Sequence, residues 1–431
     1  MKIRAALCCL AASGLLLSGC SDDSGTIDEP DEAATSAAAE EETEAQAYDP
    51  PKEFDFEAGV ALPPEAVASK MNTTGSNVQA LPVALVGTKA FIASAERLQV
   101  VDTATGEALP DVVPASGTPM PPMQTTGMVG ENPFEAPLVI ESGGTTLVIA
   151  PFIVQDAEYN YDLDVVAVDG ATGEVVFDVP VELPALAYGG YEHAEAMGES
   201  GGVVLIKVFD VYTVAFDTAT QSVAWEAELA PYLVSGDVVV APSTETSSNY
   251  DGLLIADGTP KWANKDLAIE GMYELQAAGP NFFVALGSHI SLENGQEPYN
   301  MLFETATGNV VRQEDRDFSS HECRFDGQET VVCFVRAPGF WMGALDAATG
   351  EWIWETTEAE PGINVTAVWH GIAYGLADNT TPAALDVRTG QPTGTSPGVA
   401  PYVVNEYTAV ADTVAGTWGD GGGVAAYPAI G

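Results

Sequence analysis

Two cysteines of the chain, Cys323 and Cys333, are spaced so that they could react with each other. If residues 327–329 form the turn of a β-hairpin, the two cysteines stand directly opposite each other, close enough for a disulfide. A metal site that includes His321 is the alternative, but one His and two Cys without a fourth ligand make a poor zinc set. We therefore predict a Cys323–Cys333 disulfide that fastens one hairpin and takes no part in a reaction.

A second stretch with possible metal ligands is the acidic run at 156–164. Its carboxylates and the amide of Asn160 offer oxygen atoms of the kind that calcium prefers. The run lacks the glycine placement of an EF-hand loop, so we favour a solvated acidic loop and keep calcium as the alternative.

Other residue types that act in enzymes form no recognisable arrangement here. No Ser/His/Asp constellation, phosphate-cradling glycine loop or nucleotide fingerprint is visible, and the run 419–423 is more simply the loop of a hairpin. No spacing links the histidines, which we interpret as separate structural or surface residues: His193, His289, His321 and His370. No residue is assigned a catalytic role.

The first residues of the chain predict export and a lipid anchor. Lys2 and Arg4 precede an apolar run, 5–17, which is too short to span a bilayer as a mature helix and leads into Leu-Ser-Gly-Cys at Cys20. This pattern resembles a bacterial lipoprotein signal, with cleavage before Cys20 and a diacylglycerol on its thiol; a plain secretory signal is the alternative. We assign residues 1–19 to the signal peptide and expect an extracytoplasmic protein anchored to the cell membrane.

After Cys20 the composition changes to Ala, Glu, Asp, Ser and Thr, with almost no large apolar residue up to about residue 51. Such a segment buries too little surface to offset its conformational entropy, and its acidic runs repel each other. We predict that residues 20–51 are a disordered acidic tether and that residues 52–431 form the folded domain.

The most regular stretch of that domain is 344–354, which predicts a strand, a turn and a second strand. Asp346 can accept hydrogen bonds from the amides of the turn, and Gly350 can take the positive φ that reverses the chain. Because side chains alternate along a strand, Trp352 and Trp354 are expected on one face.

Degraded copies of this stretch recur along the domain. The position of Gly350 is repeated at Gly106, Gly173, Gln221, Gly258 (interpreted as a shortened copy), Gly308 and Gly390. Spacings of about 37 to 67 residues match one four-stranded propeller blade per repeat. Short β-type runs precede each turn, and only 64–71 reads as a short helix. The predicted fold is therefore an all-β propeller.

An eighth blade follows from the two ends of the domain. The runs 403–410 and 423–427 read as strands, but the chain stops before an outer strand can follow. The run 52–57 alternates like an outer strand, and we predict that it completes the last blade and closes the ring. Eight four-stranded blades result, with seven as the alternative if the last segment is only a closing strand.

The consensus Ala-x-Asp-x-x-Thr-Gly-x-x-x-Trp resembles the tryptophan-docking motif of PQQ-like (pyrroloquinoline-quinone-type) β-propellers. The match is complete in one copy, at Ala344, Asp346, Thr349, Gly350 and Trp354, and nearly so at 215–225 and 167–177. The resemblance implies that each Trp packs against the Ala and the turn of a neighbouring blade. It gives Trp225, Trp262 and Trp354 a structural role and leaves gaps in this girdle at Pro110, Arg312 and Gly394.

The quinoprotein dehydrogenases resembled here set their quinone against a ring of adjacent cysteines and hold calcium beside a catalytic aspartate. The adjacent pair Cys8-Cys9 lies in the predicted signal peptide, and neither calcium ligands nor a catalytic base can be mapped. No cofactor is therefore expected, apart from calcium as the alternative given above. A PQQ-dependent oxidoreductase, or another enzyme with a site assembled across blades, remains the alternative function.

The net charge of −49 predicts repulsion of nucleic acid and of anionic lipid headgroups, and attraction of cations. The favoured function is a monomeric, membrane-anchored propeller lipoprotein that acts as a non-enzymatic binding or scaffold module for an unknown protein or small ligand. Related Gram-negative lipoproteins with this type of propeller are scaffolds in outer-membrane barrel assembly, an analogy of fold only. Binding is expected where the repeats disagree, at 114–135, 156–164 and 243–251.

Overall fold

The computed structural model describes residues 45–67, 81–120, 135–155, 158, 160–185, 193–209, 211–243, 250–264, 272–291, 295–314, 321–335, 341–357, 362–413 and 423–431. Within Ala45–Gly431, which form one compact unit, the helices described are two single turns of 3-10 helix, Phe56–Ala58 and Pro64–Ala66. Neither is long or apolar enough to cross a membrane. The predicted signal peptide, Cys20 and most of the predicted tether lie outside the described residues.

Strands make up nearly all of the regular structure. In chain order they are β1 (Val60–Ala61), β2 (Val83–Val86), β3 (Lys89–Ala93), β4 (Leu98–Asp102), β5 (Thr118–Pro119), β6 (Leu138–Ser142), β7 (Thr145–Gln155), β8 (Tyr161–Asp169), β9 (Val175–Glu182), β10 (Ala194–Ser200), β11 (Val203–Val208), β12 (Tyr212–Asp217), β13 (Ser222–Ala227), β14 (Leu233–Ser235), β15 (Val238–Pro242) and β16 (Tyr250–Leu254). The second half continues with β17 (Pro260–Asn264), β18 (Met272–Ala277), β19 (Phe282–Ser291), β20 (Gly295–Glu304), β21 (Val310–Glu314), β22 (His321–Phe325), β23 (Thr330–Val335), β24 (Met342–Asp346), β25 (Trp352–Glu355), β26 (Asn364–Trp369), β27 (Ile372–Ala377), β28 (Thr381–Asp386), β29 (Val403–Val404), β30 (Thr408–Asp412) and β31 (Val424–Pro428).

These strands form eight antiparallel blades arranged in a ring. Blades 1 to 7 are β2–β4, β5–β9, β10–β13, β14–β17, β18–β21, β22–β25 and β26–β28; blade 8 combines β29, β30 and β31 with β1. The innermost strands contact one another in the order β2, β6, β10, β14, β18, β22, β26, β29 and back to β2. The predicted all-β propeller with eight blades is confirmed, and the seven-blade alternative is wrong.

Blades 1 and 7 have three regular strands each. In blade 1 the fourth position is held by isolated bridges from Val112 to Leu98 and from Ala108 to Val101. In blade 7 it is held by the single bridge between Leu385 and Pro392.

An N-terminal strand closes the last blade, as predicted, but it lies further along the chain. Val60–Ala61 pairs with β31, whereas within 52–57 only Phe54 forms a bridge, to Ala429. The chain coils at Phe56–Ala58 because the Asp55 side chain accepts a hydrogen bond from the Glu57 amide at 2.9 Å. The prediction is therefore confirmed in part: the predicted run continues the pairing, with Asp55 N donating to Pro428 O at 2.9 Å and Ile430 N to Glu53 O at 3.0 Å, while the regular strand lies at Val60–Ala61.

The hydrophobic core lies between blades rather than in one centre. Strands such as β11 (Val-Val-Leu-Ile-Lys-Val) read as almost continuous apolar runs because both faces of each blade are covered by neighbours. Between blades 2 and 3, for example, the rings of Phe177 and Phe216 lie 5.8 Å apart. Each interface therefore contributes its own share of apolar burial.

Antiparallel pairing gives the ring two unlike faces. One, which we call the hairpin face, carries the short hairpins between the first and second strands of each blade and the turns that resemble 346–350. The other, which we call the loop face, carries the connections from the second to the third strands and from one blade to the next. All three segments where the repeats disagree, 114–135, 156–164 and 243–251, belong to connections on the loop face, although 121–134, 156, 157, 159 and 244–249 lie outside the described residues.

Candidate functional site

Three indoles of the repeat, those of Trp225, Trp262 and Trp354, each dock one blade onto the blade that follows it. Trp354 Nε1 donates to the carbonyl oxygen of Val387 at 2.7 Å. Its indole lies against Gly390, where an added Cβ would be 2.9 Å from Cδ2. Trp354 also stands directly opposite Ala344 on the neighbouring strand. Val387 and Gly390 belong to the turn of the following blade, whereas Ala344 belongs to the same blade as Trp354.

Two further joints repeat this contact. Trp225 Nε1 donates to Ile255 O at 2.7 Å, and Trp262 Nε1 donates to Thr305 O at 2.8 Å. The acceptor in each joint is the residue after the first position of the next blade's turn. The stacked Gly258 shows that its turn is of full length, because Gly258 N donates to Leu254 O as Gly350 N donates to Asp346 O. Our interpretation of a shortened copy is therefore wrong: Leu254 simply replaces the aspartate.

The carboxylate that opens the turn is used inside the turn. Asp346 Oδ1 accepts from Thr349 N at 2.9 Å, from Ala348 N at 3.0 Å and from Thr349 Oγ1 at 3.1 Å. These hydrogen bonds, led by that of the Thr349 amide, hold the pKa of Asp346 below its ordinary value. Gly350 takes a φ of 69°, which favours glycine. The turn is thus a structural element, with its polar groups already in use.

Trp352 and Trp354 lie on opposite faces of blade 6, contrary to the prediction. A β-bulge shifts the register, so that Trp354 pairs with Ala344 while Trp352 pairs with Leu345. Trp352 consequently packs toward blade 5, and Trp354 toward blade 7. The extra residue at Ile353 breaks the alternation on which the prediction depended.

The expected gaps in the girdle are filled by other side chains. Arg312 Nη1 donates to Gly350 O at 2.9 Å, and its guanidinium lies 5.2 Å from the ring centroid of Trp352. Leu109 packs beside Gly173, where an added Cβ would lie 3.0 Å from Cδ1. A cationic or aliphatic side chain can therefore cap the next blade's turn where no indole is present.

Phe54 fills the joint between blades 7 and 8, where Gly394 stands at the Trp position. It is 2% exposed and packs with Ala384 and Tyr427. Its ring centroid lies 6.0 Å from that of Tyr374, and its amide donates to Pro397 O at 3.0 Å. The N-terminal segment thus supplies the aromatic ring that blade 7 lacks.

The two cysteines are joined across β22 and β23, with their sulfur atoms 2.03 Å apart. Cys323 and Cys333 are register partners at the middle of the hairpin. Both thiols are consumed by this bond, which leaves no cysteine ligand here for the metal site considered as an alternative. The side chain of His321 lies outside the described residues.

In the described part of the acidic run, Asp164 is fully buried and holds another segment of the chain. It accepts hydrogen bonds from the Ser116 hydroxyl and, at 3.2 Å, from the Ser116 amide. Asp178 accepts from the Ala115 amide at 2.8 Å; burial first, and then the charge of Asp164, raise the pKa of Asp178. The pair therefore anchors the start of the insertion at 114–135 to blade 2.

No group of three or more His, Cys, Asp or Glu side chains that could hold a metal ion is present among the described residues. His193 packs edge-on against Phe209, with 5.7 Å between ring centroids. His370 contacts the Asp49 carboxylate and stacks on Trp369, with centroids 4.0 Å apart. The side chain of His289, like that of His321, lies outside the described residues. His193 and His370 belong to different blades, and the structure does not bring them together.

A cavity of about 850 Å³ lies between the outer strand of blade 6 and blade 7, and we call it the blade 6–7 groove. Its lining includes Trp354, Glu355, Asp378, Pro382, Gly394 and Ser396. The groove forms because blade 7 has no regular fourth strand beyond the bridge between Leu385 and Pro392. The sequence signal for it was the replacement of the strand-forming Trp-Ile-Trp by a stretch with Pro392 and Gly394.

No family model matches the chain, and no curated protein matches it. Among solved structures, it is similar to the computationally designed protein Ika8, with 14% identity over 82% of this chain and 97% of that chain and a TM-score of 0.46. It is also similar to BamB from Moraxella catarrhalis (14% identity, 68% and 96% coverage, TM-score 0.31) and to KlHsv2 with loop 6CD replaced by a Gly-Ser linker (8%, 71% and 88%, TM-score 0.38). The assignment of the fold rests on the strand pairing described above.

Proposed function

We propose that the chain is a PQQ-like β-propeller lipoprotein that is anchored outside the cytoplasmic membrane through Cys20 and acts as a non-enzymatic binding or scaffold module. The single observation that carries this proposal is that the residues of the repeat motif make structural contacts. The indoles that stand out in the sequence are engaged in joints between blades, as Trp354 with Val387 illustrates, and the turn carboxylates are engaged inside their turns, as Asp346 with Thr349 illustrates. The recurrent motif thus builds a rigid ring, and the connections that vary are left for recognition.

The contacts of residues 48–51 show where the N-terminal segment meets the ring. Tyr48 N donates to Glu406 O at 2.7 Å, and Asp49 contacts His370; both partners are in hairpins of the hairpin face. The Tyr374 hydroxyl donates a hydrogen bond to Pro51 O. A chain anchored at Cys20 would therefore enter the ring on its hairpin face.

The anchor is tested by fractionating bacteria that express the full chain or its Cys20→Ala variant. We expect the full chain in the membrane fraction and the variant among soluble exported proteins. Equal membrane association of both would contradict the anchor.

The binding role is tested by photo-crosslinking in intact cells. A crosslinking amino acid replaces Tyr232, which is 52% exposed on the loop face, or Thr105, which is exposed in a turn of the hairpin face. We expect a discrete crosslinked partner from position 232 and none from position 105. If purified full chain instead takes up PQQ and calcium saturably and stoichiometrically, the non-enzymatic role is wrong.

A further inference from the structure

Two carboxylates hold the start of the insertion at 114–135 against blade 2. Asp164 is fully buried, and it accepts hydrogen bonds from the hydroxyl of Ser116 and, at 3.2 Å, from the amide of Ser116. Asp178 Oδ2 accepts from the Ala115 amide at 2.8 Å. The connection from blade 1 to blade 2 is thus tied by two backbone amides to two acidic side chains, which we call the carboxylate pair.

The strand register brings the carboxylate pair together. Asp164 of β8 stands opposite Pro180 of β9, and Asp178 of β9 stands opposite Val166. The two aspartates are therefore diagonal neighbours on one face of adjacent strands, where like charges repel each other. That face packs on blade 1, because Val166 belongs to the same apolar cluster as Val100 of β4.

One oxygen atom of the carboxylate pair has no hydrogen-bond partner. Asp178 Oδ1 is covered by the protein, yet no donor among the described residues reaches it. A charged carboxylate is costly at such a position, because the buried oxygen has lost its water and gained no donor in exchange. Burial accordingly raises the pKa of Asp178; the hydrogen bond from Ala115 opposes this shift, and the charge of Asp164 adds to it.

Within the described part of the chain, no cation is among the groups that act on Asp178. On this face of blade 2 and on the parts of blade 1 packed against it, the titratable side chains besides the pair are Lys89, Arg97, Asp102, Asp111, Asp162 and Glu182. Lys89 pairs with Asp102, and Arg97 pairs with Glu65 and Asp111. A proton on Asp178 Oδ1 can remove the excess negative charge, while Oδ2 continues to accept from Ala115.

We propose that the carboxylate pair is a pH-sensitive latch, which holds the connection at Ala115 and Ser116 on blade 2 more tightly as the pH falls from neutral toward about 4. When the connection lifts away, water reaches Asp178 and its pKa returns to the ordinary value, about 3.9. A carboxyl group whose pKa is higher in the closed state stabilises that state as the pH falls through the higher value, and the gain is complete below the ordinary value. The position of this loop-face connection thus depends on pH, whatever the connection binds.

The test follows hydrogen–deuterium exchange of the Ala115 and Ser116 amides in the full, detergent-solubilised chain between about pH 7.5 and about pH 4.5. Each rate is compared with that of an unstructured peptide at the same pH, which gives a protection factor free of the chemical effect of pH. Asp178→Asn is a neutral isostere that stands in for the protonated side chain. Glu182→Gln is the matched control, because Glu182 is exposed on the same face of β9 but accepts from neither amide.

We expect the protection factors of both amides to rise at least about threefold from the higher to the lower pH in the original chain and in Glu182→Gln. In Asp178→Asn they should already be high at the higher pH and should not change with pH. A protection factor that does not depend on pH in the original chain would overturn the latch without any substitution. The latch would also be overturned if Asp178→Asn kept the pH dependence, because another group would then be responsible. Loss of the pH dependence in Glu182→Gln would overturn it too, because the effect would then belong to the general charge of this face.

Discussion

The indole N–H of Trp354 donates a 2.7 Å hydrogen bond to the carbonyl of Val387, which belongs to the following blade. One side chain thus joins two sheets that share no strand. The contact combines a hydrogen bond with the burial of an aromatic face against Gly390. Because the ring is closed, we expect the loss of one joint to lower the stability of the whole ring.

Replacement of Trp354 by Ala should lower the free energy of unfolding of the full chain by about 2–4 kcal/mol, since a large, partly buried ring and its hydrogen bond are removed. Trp354→Phe keeps an aromatic ring and removes the donor, so we expect a loss of about 1 kcal/mol. Urea denaturation measures both. A loss below about 1 kcal/mol for Trp354→Ala would show that the joint contributes little.

Gly390 gives a test of the stacked face itself. An added Cβ there would lie 2.9 Å from the Trp354 indole, whereas one at Gly371 would meet no atom within 4 Å. Both glycines have a positive φ, of 68° and 88°, so Ala costs roughly 1–2 kcal/mol of backbone strain at either. We expect Gly390→Ala to cost about 1–3 kcal/mol more than Gly371→Ala in the same denaturation experiment. Equal losses would mean that the indole moves aside freely.

Closure of the ring through the N-terminal segment depends on Phe54. This residue is 2% exposed, whereas Phe56, two positions away, is 41% exposed and stacks on Tyr427. Phe54→Ala should therefore cost about 3–5 kcal/mol and Phe56→Ala under about 1 kcal/mol. Thermal unfolding should likewise show a lower melting temperature on deletion of 52–61 but not of 22–44. Similar effects of the two deletions would contradict closure by this segment.

Acid should weaken the turns once the pH falls below about 4. Backbone amides that donate to Asp169, Asp217 and Asp346 lower the pKa of each carboxylate below its ordinary value. A pKa that is lower in the folded state adds stability above the unfolded value, about 3.9, and this stability is lost as the pH falls through the folded value.

We therefore expect the urea concentration at which half of the original chain is unfolded to decrease as the pH is lowered below about 4. Replacement of all three residues, Asp169, Asp217 and Asp346, by Asn should lower the urea midpoint at pH 7. It should also make the midpoint depend less on pH between about pH 5 and 3. Circular dichroism in urea across this range provides the measurement. An unchanged slope in the triple variant would show that these carboxylates are not the groups responsible.

The amino-acid sequence by itself determined the features that depend on local geometry. Asp346 and Gly350 specify their turn wherever it lies, because a carboxylate can accept from amides two and three residues ahead and glycine tolerates the required φ. Repetition of that turn then implied one blade per copy, and the alternation of short apolar runs implied strands. Fold class and number of blades followed from such local signals.

The tertiary structure alone decided the features in which distant residues meet. A bulge at Ile353 sends Trp352 and Trp354 to opposite faces, and the strand pairing that creates it is absent from the isolated stretch. Arg312 caps Gly350 without an indole, and the alternation of 52–57 did not reveal that Phe54 replaces the ring missing at Gly394. The blade 6–7 groove is likewise a tertiary feature, since it lies where blade 7 has no regular fourth strand. An opening between two sheets depends on how the sheets pack, which the sequence of neither blade shows alone.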